Sequence, residues 1–182
     1  LGSEMCIRDR DIASTAKSMH NILLAHGNAV EIARDYGHKN VGIVLNKTHV
    51  IPQSNKEEDT FAAKIYNEIH NTWFDEAIFK GKYPINLLNI LRPYMPKNYS
   101  NDLKIISKKI DWIGINYYTR TIVAEDSSEP WPSIKEIKGS LQQTQMGWEI
   151  YPDGLKNSLV RVSREYTGCL LYTSPSPRDT DL

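Results

Sequence analysis

Residues 111–118 read DWIGINYY, an almost unbroken apolar run that ends in polar side chains. A second run of this kind, VGIVL at residues 41–45, is followed directly by Asn46. Short continuous apolar runs are typical of strands buried on both faces of a parallel sheet. The two runs therefore predict two strands with polar groups at their carboxyl ends, and the rest of the fold is arranged around them.

Apolar stripes at helical spacing lie before, between and after these strands. They predict helices over residues 12–33, closed by Gly37, over residues 61–80, stopped by Gly81, briefly after a capping Ser100, and from Pro152 to Tyr166. Alternation of helix and strand indicates an α/β fold, with a parallel sheet that is either doubly wound or an arc of a closed barrel. Two strands alone leave both sheet edges unpaired.

The two ends of the chain differ in character from residues 11–168. Residues 1–10 (LGSEMCIRDR) and 169–182 (CLLYTSPSPRDTDL) resemble translated sequencing-adaptor sequence and have no apolar period. We therefore treat them as artefactual tails and expect them to make few contacts with the body. Both cysteines, Cys6 and Cys169, lie in these tails, and a body without cysteine fits the reducing environment of the cytoplasm.

Composition and charge exclude several classes of partner. The chain has 22 basic and 22 acidic side chains and 40% apolar residues, so no excess field favours nucleic acid or a membrane surface. No apolar run approaches the roughly 18–20 residues of a membrane span. We predict neither a nucleic-acid nor a membrane partner, and the sequence does not indicate an oligomeric state.

The usual signatures of cofactor, metal and serine-hydrolase sites are missing. The sequence contains no GxGxxG, GxxxxGK[ST] or GxSxG, and its five histidines form no HExxH. We therefore predict no cofactor and no metal ion. Acidic residues 57–59 precede a helix and complement its positive end, and adjacent Asp75 and Glu76 are expected to be solvated.

Five strings nevertheless carry a family resemblance. They are HNILLAHGNAV (residues 20–30), GIVLN (42–46), GKYP (81–84), GINYYTR (114–120) and MGWEIYPDGL (146–155). Together and in this order they resemble glycoside hydrolase family 1, the β-glucosidase-like retaining glycosidases. The resemblance covers residues 11–168 and implies a partial (β/α)8 TIM barrel, an incomplete barrel from about helix 4 to helix 6.

The resemblance also implies a site and an incomplete catalytic apparatus. In this family, the acid/base glutamate lies in an Asn-Glu-Pro motif and the nucleophile in Glu-Asn-Gly, and neither motif occurs in the sequence. The matching residues are supporting ones. Tyr118 would donate a hydrogen bond to the nucleophile, Asn116 would help to place the sugar, Trp148 would stack on the aglycone side, and Asn46 would line the same entrance. We expect these four to open on one end of adjacent strands.

Two functions therefore remain open. The first is a fragment of a retaining β-glucosidase-type hydrolase that takes a small-molecule glycoside substrate and is inactive alone, because it lacks both glutamates. The second is a non-catalytic α/β module that binds sugar or a protein partner.

Overall fold

The computed structural model describes residues 11–166 and 169–173. Its elements, in chain order, are α1 (Ile12–Asp35), β1 (Gly42–Pro52), α2 (Glu57–Asn67), a π-helical turn (Glu68–Thr72), α3 (Trp73–Lys80), α4 (Ile85–Leu91), a 3-10 turn (Arg92–Tyr94), α5 (Tyr99–Ile106), β2 (Trp112–Glu125), β3 (Ile134–Ile137), α6 (Pro152–Glu165) and β4 (Leu170–Thr173). Within these residues, no helix combines the length and the apolar character that a bilayer crossing needs.

Strand β2 is the centre of the sheet. It pairs in parallel with β1 from Trp112 to Val123, in a register that sets Asn46 opposite Asn116. Its other edge is shared: parallel β4 pairs with its first four residues and antiparallel β3 with its last four. The prediction that both sheet edges are unpaired is therefore wrong for the edge formed by β2. The sequence did not indicate β3 and β4 because neither short strand has a long apolar run.

Strand β4 also bears on the predicted artefactual tails. Leu170–Thr173 pairs with Trp112–Ile115 of β2, and the Cys169 thiol donates to the Ile110 carbonyl at 3.2 Å. The expectation of few contacts is therefore wrong for residues 169–173. It rested on the absence of an apolar period, but a strand can pair through its backbone without one. The matching predictions for residues 1–10 and 174–182 lie outside the described residues.

Several predicted helices are present with different ends. α1 begins after Asp11, whose carboxylate accepts from the Ser14 backbone N–H at 3.0 Å, as an N-cap should. The predicted helix over residues 61–80 is divided by the π-helical turn. Ser100 does not cap α5, which follows Asn98, and α4 lies in a stretch that appeared only as proline punctuation.

The core lies between the helices and one face of the sheet. Ile113 and Ile115 of β2 are each 1% exposed and belong to the same apolar cluster as Trp73 and Leu87. Because side chains alternate along a strand, the residues between them face the other side of the sheet. The fold thus buries one face of β1 and β2 and leaves Val44 and Tyr118 of the other face exposed.

A buried ion network joins β1 to two helices. The Lys47 ammonium binds the Asp75 carboxylate, and the Arg161 guanidinium of α6 donates to the same carboxylate at 3.0 Å. Asp75 is 0% exposed, so the expectation that it is solvated is wrong. Burial lowers the pKa of Lys47, and the neighbouring Asp75 opposes that shift. The network therefore depends on one carboxylate that is shared by two cations.

Candidate sugar-binding site

The predicted asparagine residues are brought together by the sheet. Asn46 and Asn116 are register partners on β1 and β2, and the Asn116 side-chain amide donates to Asn46 Oδ1 at 3.1 Å. The Oδ1 atom of Asn116 is shielded from solvent and has no hydrogen-bond partner among the described residues. Unpartnered buried acceptors are uncommon in folded proteins, so this atom marks the amide pair as a candidate ligand contact.

The predicted aromatic residues also form a pair. The rings of Tyr118 and Trp148 lie 5.1 Å apart at 45°, and both are partly exposed, at 49% and 38%. Tyr118 does not point into the layer between sheet and helices. The neighbouring Tyr117 points into that layer, where its hydroxyl donates to the Tyr151 carbonyl at 2.9 Å. Burial raises the pKa of Tyr117 to about 12.

The strands do not end where the sequence suggested. Runs predicted to stop at Leu45 and Tyr118 continue to Pro52 and Glu125, so the paired asparagines lie within the strands. The register shifts between Lys47 and His49, where a β-bulge breaks the ladder. Polar residues at the bulge, Asn46 to His49 in β1, interrupt the apolar run and hide the continuation from a search for such runs.

The bulge is held by a side chain of the π-helical turn. Asn71 accepts from the Thr48 N–H at 3.2 Å and donates to the Thr48 carbonyl at 2.9 Å, which satisfies both backbone groups that the bulge frees. Asn67 accepts from Asn71 at 2.8 Å and fixes its orientation. A π-turn in the helix layer thus holds β1 in position immediately after Asn46.

Glu149 anchors the loop that carries Trp148. Within this hairpin, the Thr144 N–H donates to the Trp148 carbonyl at 2.8 Å, and Gly147 supplies a φ of 80° at the turn. The Glu149 side chain is 7% exposed and accepts from Arg120 Nε of β2 at 2.6 Å and from the Leu141 N–H at 2.7 Å. The Arg120 hydrogen bond, supported by that of Leu141, holds the pKa of Glu149 below its usual value.

Sequence reasoning missed both members of this ion pair. Arg120 and Glu149 stand inside the quoted strings GINYYTR and MGWEIYPDGL, but only the aromatic and amide residues of those strings were assigned roles. The opposite charges of Arg120 in one string and Glu149 in the other are the signal that could have found the pair.

As regards metals, no cluster of three or more His, Cys, Asp or Glu side chains occurs in the described part of the chain.

The ion pair makes the position of Trp148 sensitive to acid. Because the folded pKa of Glu149 is depressed, its contribution is fully present above the usual carboxyl range and is lost as pH falls through that lower pKa. We expect the Trp148 indole N–H resonance, assigned with Trp148→Phe, to be dispersed at pH 7 and to move toward its random-coil position in acid.

Glu149→Gln separates this effect from general acid unfolding. In that variant the indole resonance should already be displaced at pH 7, because the neutral amide loses the charge-assisted bond to Arg120. The exposed Glu125→Gln serves as the matched control and should behave as the parent chain. An unchanged Trp148 resonance in Glu149→Gln contradicts the anchoring role.

Comparisons with known proteins define the class. The glycosyl hydrolase family 1 model matches residues 7–175, which extends past the predicted body at both ends. β-Glucosidase A of Thermotoga maritima is 37% identical over 165 residues, with 90% of this chain and 37% of that protein covered. The β-glucosidase of an Agrobacterium species is 36% identical, with 87% and 35% covered.

Solved structures agree with these sequence matches. The family 1 β-glucosidase of T. maritima superposes with a TM-score of 0.82 and 35% identity, covering 90% of this chain and 37% of that one, and its complex with deoxynojirimycin gives the same values. The chain belongs to glycosyl hydrolase family 1. It spans 37% of the length of these Thermotoga relatives, and the prediction of an incomplete (β/α)8 barrel is confirmed.

Proposed function

We propose that this chain forms one wall of the sugar site of a retaining β-glucosidase-type hydrolase that cleaves β-glucosides. The observation that carries the proposal is the convergence of Asn46, Asn116, Tyr118 and Trp148 on the open face of the sheet. Relatives in the same family are β-glucosidases, and structures of one contain deoxynojirimycin or glucoimidazole. A small-molecule glycoside is therefore the proposed substrate, and a cytoplasmic location stays a prediction.

Each wall residue has a role that its surroundings support. Tyr118 would donate to the nucleophile carboxylate, holding its orientation and favouring its ionised form. The Asn116 amide would bond to a sugar hydroxyl, with Asn46 fixing its orientation through the 3.1 Å bond. The Trp148 indole presents a broad apolar face on which a sugar ring or aglycone can stack.

A chimera tests the proposal. Residues 11–168 replace the matching segment of T. maritima β-glucosidase A, which retains the remainder of that enzyme. We expect the chimera to hydrolyse nitrophenyl β-glucoside, and Tyr118→Phe in it to lower kcat about tenfold or more. That is the loss expected for one positioned hydrogen bond of about 1.5–3 kcal/mol to a charged group.

Tyr117→Phe provides the matched control for this experiment. It removes a hydroxyl from the adjacent tyrosine, but that hydroxyl bonds to the Tyr151 carbonyl on the helix side. We expect kcat to stay within about twofold, since such a bond contributes roughly 1 kcal/mol to stability rather than to the reaction. A folded but inactive chimera, or equal losses in both variants, favours the non-catalytic module instead.

A further inference from the structure

A cavity lies between the π-helical turn and β3, and the proposed function does not use it. Its volume is about 240 Å³, and its walls include Tyr66, His70, Trp131, Lys135 and Glu136. None of its lining residues belongs to the wall formed by Asn46, Asn116, Tyr118 and Trp148. It is smaller than the roughly 300–1,000 Å³ of sites for drug-sized ligands, so a single ring is the natural occupant.

The aromatic surfaces of the cavity are fixed in place. The Tyr66 and His70 rings stack 4.2 Å apart at 26°, which presents a flat surface from the helix layer. Trp131 lines the cavity from the turn that precedes β3. That turn includes Ser133 at a φ of 60°, a left-handed conformation that costs energy for a residue with a Cβ and is often found at binding sites.

The polar groups supply both donors and acceptors. Tyr66 donates to Glu136 Oε1 at 2.5 Å, and burial raises the pKa of Tyr66, so its hydroxyl keeps its proton. Lys135 and Glu129 also line the cavity and add a cationic donor and a second carboxylate. A cationic ligand would meet the Lys135 ammonium and an anionic one the Glu136 carboxylate, whereas a neutral polyol can bond to both. Aromatic faces combined with such mixed polar groups match the two faces of a pyranose.

We propose that this cavity is a second carbohydrate site, which binds one neutral pyranose ring away from the Tyr118 and Trp148 wall. The ring would lie against Trp131, with hydroxyls bonded to Lys135 and Glu136. This inference does not rest on the proposed hydrolase function, because it involves other residues and needs no catalytic glutamate.

Indole N–H resonances of the 182-residue chain test the site, with methyl β-D-glucoside and cellobiose as probes. We expect saturable shifts of the Trp131 resonance in the millimolar range. Trp131→Ala, which lacks this reporter and is titrated by calorimetry instead, should raise Kd about tenfold or abolish binding, as the loss of an aromatic anchor does, whereas Trp148→Phe should leave the Kd of this site within about twofold. Retention of that Kd in Trp148→Phe separates this site from the proposed catalytic wall.

Lys135→Ala keeps the proposal testable if Trp131→Ala fails to fold, which circular dichroism will show. Lys135 is exposed, so its removal leaves the core intact and should raise Kd about threefold through the lost donor. Three results overturn the proposal: no saturable Trp131 shift at 100 mM probe, an unchanged Kd in a folded Trp131 or Lys135 variant, or tighter binding of tetramethylammonium or acetate than of the glucoside.

Discussion

Purified 182-residue chain, incubated with nitrophenyl β-glucoside, should release nitrophenol no faster than buffer does. Retaining glycosidases need two carboxyl groups about 5–5.5 Å apart, one as nucleophile and one as acid/base. The sequence contains neither Asn-Glu-Pro nor Glu-Asn-Gly, and the buried carboxylate closest in sequence to Trp148, Glu149, is bound to Arg120 and the Leu141 N–H. Without a nucleophile no glycosyl-enzyme forms, and Tyr118 has no developing charge to stabilise.

The size of this effect makes the assay decisive. Enzymes accelerate their reactions by about 10⁶-fold or more, so loss of the covalent step removes essentially all turnover. The positive control is T. maritima β-glucosidase A, and a chain with Tyr118→Phe serves as the blank. Turnover by the parent chain clearly above that blank would locate the chemistry on carboxylates other than the family pair.

Asp75→Asn should destabilise the fold more than any other single charge removal discussed above. The amide keeps the shape of Asp75 but leaves the buried Lys47 ammonium and Arg161 without their shared anion. Removing one partner from a buried ion pair typically costs about 3–5 kcal/mol. At roughly 2–4 °C per kcal/mol for a chain of this size, Tm in thermal denaturation should fall by roughly 6–20 °C.

Glu76→Gln is the matched control for Asp75→Asn. Its carboxylate lies one residue away on the same helix and faces Lys80 at 3.4 Å and Lys82 at 3.9 Å, both at the surface. Surface pairs contribute about 0–1 kcal/mol, so Tm should change by no more than a few degrees. Equal Tm values for the two variants would show that the network does not hold the helices to β1.

Sequence patterns predicted elements whose burial is uniform over many residues. The stripe of α1 and the apolar starts of β1 and β2 each follow one period, and a period can be seen without knowing the neighbours. The short strands β3 and β4 and the extensions past Leu45 and Tyr118 depend on backbone pairing with β2, which side-chain polarity does not encode. The elements that follow a local pattern could thus be predicted, whereas those that depend on tertiary pairing could not.

The candidate site divides in the same way. Asn46, Asn116, Tyr118 and Trp148 came from motif resemblance, and their predicted proximity agrees with the 3.1 Å and 5.1 Å contacts. Their roles toward a sugar stay predictions. The groups that hold them could not be found locally, because Asn71 meets Thr48 and Glu149 meets Arg120 only after helix and loop have packed on the sheet. The burial of Asp75 could not be predicted for the same reason, because Lys47 and Arg161 meet it only in the packed fold.

The parallel pairing of β1 with β2 has a kinetic consequence. Asn46 and Asn116 touch across a separation of 70 residues, and the helices α2 to α5 lie between them. Closing so long a loop loses chain entropy before any strand contact offsets it, whereas each helix forms from local contacts. Refolding should therefore begin with helical structure and be rate-limited by the meeting of the two strands, on a timescale of about milliseconds to seconds.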